Sequence, residues 1–141
     1  MKIWFDMDGT IADLYANEGW LEKLEAHDPS PYENAKPLLN MQALARVLNR
    51  LVREGNEINI ISWLSKSSNE NYDKQVTLAK KKWLALHLAS VQFTHIDIVA
   101  YGTPKHEGRE GILFDDEERN RSAWGEGAYD VNNILEILKS I

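Results

Sequence analysis

Two apolar runs in this chain stop abruptly at acid. KIWF (residues 2–5) leads into Asp6-Met7-Asp8-Gly9, and GILF (111–114) leads into Asp115-Asp116. An unbroken run of bulky apolar residues predicts a short buried strand. Each run therefore delivers carboxylates to the end of a covered sheet. Like charges at short range repel and raise each other's pKa, so something positive or reactive is expected in front of them.

Between these runs the pattern alternates. Ile11 to Glu25 carries Leu14, Trp20, Leu21 and Leu24 at helical spacings, with Gly19 as a kink or break. Residues 27–37, with three prolines, read as a loop. A helix over 39–54 places Leu39, Leu44, Leu48, Leu51 and Val52 on one face, and Gly55 ends it. EINIIS (57–62) reads as a second strand. Residues 63–73 read as a loop, and 74–89 as a helix with Val76, Ala79, Trp83 and Leu86 on one side. HIDIVAYG (95–102) is a third strand and 111–116 a fourth, while a fifth is faint, in AYDV (128–131). Asp130 caps a last helix that packs Val131, Ile134, Leu135 and Leu138 inward. Strands alternating with helices predict an α/β fold, a central parallel sheet with helices on both faces. Ligands in such sheets bind beyond the C-terminal strand ends.

Composition narrows the classes. A chain of 141 residues fits one domain. A net charge of −6 argues against a broad nucleic-acid-binding face. The absence of Cys excludes disulfides and thiolate zinc sites. The first residues are too short an apolar segment for a signal peptide, and no run approaches the roughly 18 residues of a membrane span. A cytoplasmic protein without membrane contact is expected. The tryptophans form no stripe that separates monomer from dimer.

Chemistry gathers at the predicted strand ends: Asp6 and Asp8 after the first strand, Ser62 after the second, Lys105 in the loop after the third, and Asp115 with Asp116 after the fourth. Singly, each has an ordinary explanation. Asp-x-Asp-Gly is commonly a turn, a strand-end Ser a helix cap, a lone Lys a solvated side chain, and Asp115-Asp116 an acidic turn. An EF-hand is excluded, because Gly9 falls too early and no glutamate closes a twelve-residue loop. Together the carboxylates suit a hard cation such as Mg²⁺. Ser62 and Lys105 suit a phosphate, and an aspartate free of the cation on one oxygen can act as a nucleophile.

DMDGT after an apolar strand, INIIS, a downstream lysine and ILFDD resemble the four motifs of the haloacid dehalogenase superfamily over nearly the whole chain. The Lys80-x-x-Trp83-Leu84 pattern, and a lysine eleven residues before Asp116, are similar to its 5′(3′)-deoxyribonucleotidase-like branch. The resemblance implies a Rossmann-like fold and an Mg²⁺-dependent phosphomonoesterase that works through an aspartyl-phosphate. Asp6 would be the nucleophile and Asp8 the general acid and base. The expected metal set is Asp6, Asp8 through its carbonyl, Asp116 and Asp115, the last in the outer shell or sharing the ion. The expected phosphate set is Ser62, Lys105, Thr10 and Lys80. Lys80 rivals Lys105; Lys105 is favoured because Lys81 and Lys82 mark the neighbourhood of Lys80 as a solvated face.

The branch carries a helical cap between its first two motifs. Here about residues 13–37 remain for one, so a much reduced cap is expected. Tyr15, Trp20, Tyr32 and Trp63 would stack on a base or staple the loop. The implied substrate is a small phosphorylated molecule, a nucleoside monophosphate first. The alternatives are a polynucleotide-end phosphatase, against which the negative charge counts, and a non-catalytic phosphate- or metal-binding module.

Overall fold

The computed structural model describes residues 1–141. Its central sheet has five parallel strands: β1 (Lys2–Phe5), β4 (Glu57–Trp63), β5 (His95–Val99), β6 (Ile112–Phe114) and β7 (Ala128–Tyr129), in the order β5-β4-β1-β6-β7. The two strands that end in acid, β1 and β6, are neighbours in the middle of the sheet. Two further short strands, β2 (Ala12–Asp13) and β3 (Lys36–Pro37), pair antiparallel beside it.

The helices are α1 (Trp20–Glu25), α2 (Ser30–Glu33), α3 (Met41–Arg53), α4 (Glu70–His87), α5 (Glu118–Trp124) and α6 (Ile134–Lys139). One sheet face is covered by α3, α4 and α6. Leu44, Leu48 and Leu51 of α3, Trp83 and Leu84 of α4, and Ile134 and Leu138 of α6 pack there on Ile3, Phe5, Ile58, Ile60 and Phe114. The other face presents Trp4, Ile61 and Leu113, which meet Trp124 of α5. Both faces are covered, but unequally. The connections β1–α3–β4 and β4–α4–β5 run outward on the first face, and the return from β5 to β6 has no helix, only the loop 100–111. Trp4 Nε1 donates to the Glu110 carbonyl at 3.1 Å, so the loop is held down by the sheet's own side chains.

Several elements differ from expectation for identifiable reasons. Ile11 to Glu25 is not a kinked helix. Ala12–Asp13 is drawn into pairing with β3, the Asp13 carboxylate accepts from Ala16 N (3.2 Å) to close a 3-10 turn over 14–16, and Gly19 (φ 69°) starts α1 afresh. Residues 27–37 hold α2, whose Pro31 and Tyr32 are buried. Helix α4 begins at Glu70, because the Asn69 side chain accepts from Tyr72 N at 2.7 Å. Its buried stripe is Tyr72, Val76, Ala79, Lys80, Trp83 and Leu84, whereas Leu86 faces solvent. The third strand stops at Val99. The faint fifth strand is present as β7.

Residues 14–32 pack onto α4 through a separate small core of Leu14, Leu24, Tyr32, Tyr72, Val76 and Ala79. Tyr72 ties the two together, its hydroxyl donating to the Asp28 carbonyl at 3.0 Å. No helix is long and apolar enough to cross a membrane. Leu51 is fully enclosed in the main core while Leu86 is 74% exposed. Leu51→Ala should therefore cost about 2–5 kcal/mol in urea unfolding, and Leu86→Ala no more than about 0.5 kcal/mol. Equal losses would contradict the packing of α3 and α4.

Candidate active site

Strand alternation decides which side chains reach the sheet end. Asp6 follows Phe5 out of β1 and is buried; its backbone N–H continues the pairing by donating to the Phe114 carbonyl at 3.0 Å. The chain then turns sharply. The Met7 carbonyl accepts from the N–H groups of Thr10, Ile11 and Ala12, each at 3.0 Å, and Gly9 takes φ 81°. A Cβ at Gly9 would overlap the Asp116 carboxylate, so this glycine is required both for the turn and for the approach of β6's acidic end.

Two ammonium groups enter this cluster. Lys105 Nζ donates to Asp6 Oδ1 (2.9 Å) and Asp115 Oδ2 (2.7 Å) and is buried. Lys80 Nζ donates to Asp8 Oδ2 (3.0 Å), Ser62 Oγ (2.7 Å) and the Trp63 carbonyl (2.6 Å). Lys80 does not lie on a solvated face. It is buried, and only Lys81 and Lys82 point outward. One residue along the helix, a rotation of about 100°, separates the exposed lysines from a position inside the molecule.

Thr10 Oγ1 lies 3.0 Å from Asp6 Oδ2 and 3.4 Å from Asp116 Oδ1. Its hydroxyl ties the acidic turn after β1 to the one after β6. Asp115 accepts three bonds: Oδ2 from Lys105 and from Asn120 Nδ2 (3.1 Å), and Oδ1 from the Glu117 N–H (2.9 Å). Asn120 was not picked out by sequence reasoning. Its only signal is its place within the charged run EERNR, where a buried amide has no visible periodicity to mark it.

The electrostatics follow from this crowding. Burial, then the Asp6 charge, pushes the Asp116 carboxyl up to about 8. The same two causes raise Asp115 to about 6, with Lys105 opposing. Burial also raises Asp8, against the pull of Lys80. For Lys105, burial alone would lower the pKa, but Asp6 and Asp115 outweigh it and hold the ammonium above its usual value. Carboxyl oxygens of Asp6, Asp115 and Asp116 lie within 4.8 Å of one another, a group that could hold a metal ion. An all-oxygen donor set with one carboxyl so reluctant to ionise fits a hard divalent cation.

A cavity of about 680 Å³ opens above Asp6, Asp8, Lys105 and Asp115. All four aromatics singled out in the sequence, Tyr15, Trp20, Tyr32 and Trp63, line it, joined by Tyr101. Tyr32 is buried over Lys80, its ring centroid 5.0 Å from Nζ, and Tyr15 packs edge-on against Trp20 at 4.9 Å.

In shape the chain matches the crystal structure of D,D-heptose 1,7-bisphosphate phosphatase from Burkholderia thailandensis, with a TM-score of 0.57 over 99% of this chain and 96% of that one. The fold is haloacid dehalogenase-like. Sequence identity to that structure is 13%, so the likeness is one of architecture. No protein-family model matches the sequence, and no curated protein does. The five-stranded parallel sheet is thus that of a Rossmann-like fold of this type.

The raised carboxyls give a signed prediction for the protein stripped of metal by a chelator. Asp116 binds its proton more tightly folded, at about 8, than at the ordinary 3.8. Its contribution to stability is full below pH 3.8 and is lost as pH rises toward about 8. Thermal melts in chelator should show this loss between those limits, and millimolar Mg²⁺ should restore stability at the upper end by mass action. Asp116→Asn should flatten both effects. A melting temperature indifferent to chelator and to Mg²⁺ would remove the cation from this cluster.

Proposed function

We propose that this protein is an Mg²⁺-dependent phosphomonoester hydrolase of the haloacid dehalogenase superfamily that forms an aspartyl-phosphate on Asp6. The observation that carries the reading is the meeting of Asp6, Asp8, Ser62, Lys105 and Asp116, contributed by four separate segments, at one end of the sheet, where Asp6, Asp8 and Lys105 line one cavity. The fold likeness to a phosphatase agrees with it.

Asp6 attacks phosphorus, the bond to the leaving oxygen breaks, and Asp8 gives that oxygen its proton. Burial keeps Asp8 protonated more readily than an ordinary carboxyl, as this step requires. Water then attacks the phosphorus of the acyl phosphate, Asp8 takes the water's proton, and phosphate leaves with Asp6 restored. Asp6 and Asp116 would hold Mg²⁺ together with the Asp8 carbonyl; Asp115, whose Oδ2 is taken by Lys105 and Asn120, would stand in the outer shell or share the ion through Oδ1. Bound there, the ion offsets the charge of the phosphoryl oxygens.

Counting protons assigns the lysines. Lys80 has three N–H groups and three protein acceptors, so none remains for substrate. Lys105 has two acceptors and one N–H free for a phosphoryl oxygen. Ser62 accepts from Lys80 and keeps its hydroxyl proton, but it is fully enclosed and does not line the cavity, so its part here is to seat Lys80. Lys80 thus holds Asp8 and Ser62 in place.

Residues 13–37 form the reduced cap, and its Tyr15, Trp20 and Tyr32 above the site suit the base of a nucleoside monophosphate, as the resemblance to the nucleotidase-like branch implies. Turnover of an aryl phosphate with and without Mg²⁺, followed by a panel of nucleoside monophosphates, tests the reading. Asp6→Asn should abolish activity in a folded protein; retention of a tenth of the wild-type rate would sink the covalent route.

The lysines should separate by readout. Lys105→Ala should lower kcat by about a hundredfold or more, as when one donor to developing charge is lost. Lys80→Ala should cost less in rate but about 2–5 kcal/mol in stability, since it empties a fully enclosed position and removes the one donor shared by Asp8, Ser62 and the Trp63 carbonyl. The reverse ranking in rate would move the phosphate lysine onto α4.

A further inference from the structure

The loop 100–111 stands where the sheet's second face would take a crossover helix, yet it carries the side chain that bridges Asp6 and Asp115. Its backbone bonds are mostly local. Thr103 N–H and Oγ1 both donate to the Ala100 carbonyl, at 3.1 and 2.6 Å, and the Arg109 N–H donates to the His106 carbonyl at 3.3 Å. None of these fixes the loop relative to the sheet.

The half after Lys105 is anchored. Arg109 grips the Asp97 carboxylate on β5 through Nε and Nη2 (3.2 and 3.1 Å), and Trp4 holds the Glu110 carbonyl. The half before Lys105 is tied by Trp63, at the end of β4. Its indole Nε1 donates to the Thr103 carbonyl at 2.8 Å. Its ring packs against Tyr101 with centroids 5.1 Å apart and lies 5.2 Å from Lys105 Nζ. Arg119 of α5 closes the cluster, 4.5 Å from the Trp63 ring and donating to Tyr101 Oη at 3.0 Å. One indole touches residues on both sides of Pro104 and the ammonium itself.

We propose that Trp63 is a positioning residue for Lys105: it clamps residues 101–105 to the end of β4 so that the ammonium stays on Asp6 and Asp115. Ser62 and Trp63 are consecutive on β4, and alternation sends them to opposite faces. The strand thus supplies one group that seats Lys80 and, next to it, the brace for the opposing lysine. A rigid aromatic loses little conformational entropy in such a role. Its π face, turned to an ammonium with restricted access to water, adds attraction that an aliphatic residue would not.

The kinetic part of the test rests on the phosphatase reading; the structural part does not. Trp63→Phe keeps a ring against Tyr101 and Lys105 but loses the bond to Thr103, and Trp63→Ala loses both. Backbone amide exchange over residues 101–106 should speed up in the order wild type, Phe, Ala, with exchange in α3 unchanged. On aryl phosphate, Trp63→Ala should lower kcat by about tenfold, part of the full loss of about a hundredfold expected without the lysine. KM should stay within about threefold, and Phe should rescue part of the rate. Adding Lys105→Ala to Trp63→Ala should cost much less than it does alone, because the two act through one group. Unchanged exchange over 101–106 in both variants would overturn the proposal whatever the kinetics, as would additive kinetic losses or an effect confined to KM. Should Trp63→Ala fail to fold, Trp63→Phe decides by the same exchange measurement. Absence of phosphatase activity in the wild type would defeat the functional reading and leave exchange alone to decide the clamp.

Discussion

Lys105 Nζ sits 2.9 Å from Asp6 and 2.7 Å from Asp115, at the junction of the two central strands of the sheet. Without that ammonium, β1 and β6 would bring two buried carboxylates together in a medium where their repulsion is poorly screened. With it, the strands can run side by side to their ends, and the acidic turn after β1 can pack against the acidic turn after β6. Lys80 does the same for Asp8 from the other side. The two lysines come from segments remote in sequence, a long helix and a helix-less loop. Closing the acidic cluster therefore requires the crossovers on both sides of β1 to be in place.

The balance is incomplete by design of the donor set. Two ammonium groups face Asp6, Asp8, Asp115 and Asp116, and the surplus falls on Asp116, whose carboxyl resists ionisation. A divalent cation and a phosphoryl dianion arriving together add no net charge to the cluster. Each alone upsets it, the cation less so because carboxylates predominate. Chemistry that joins a hard cation to a phosphate matches this charge pattern better than binding of either a neutral ligand or a bare anion.

Most of the sheet was legible because its strands are central. β1 and β6 are enclosed on both faces and read as continuous apolar runs, and the isoleucines of β4 stand out for the same reason. The short path from Lys105 to Asp116 made their closeness legible, and the ammonium does meet Asp6 and Asp115. What could not be read depends on tertiary contacts. The stretch 11–25 has helical spacing, but Ala12 and Asp13 bond to residues 36–37 instead. Lys80 looked solvated because its neighbours in sequence are, whereas a helix shows a new face with every residue. Asn120 is hidden for a like reason: a single buried position inside a run of charge leaves no pattern.

The antiparallel pairing of Ala12 with Pro37 and Asp13 with Lys36 brings the entry and exit of the 14–35 excursion side by side. A segment that leaves and returns at one point is mechanically separable from the sheet that carries it. Lengthening such an excursion adds only slowly growing loop entropy and moves none of the strands that hold the carboxylates. Its grip on the remainder of the molecule is the patch on α4, where Tyr72, Val76 and Ala79 precede Lys80 on the same buried stripe. A change in how that excursion seats would thus be transmitted along one helix to Lys80, and through it to Asp8 and Ser62. The part of the chain freest to vary in length is thereby geared to the part that can vary least.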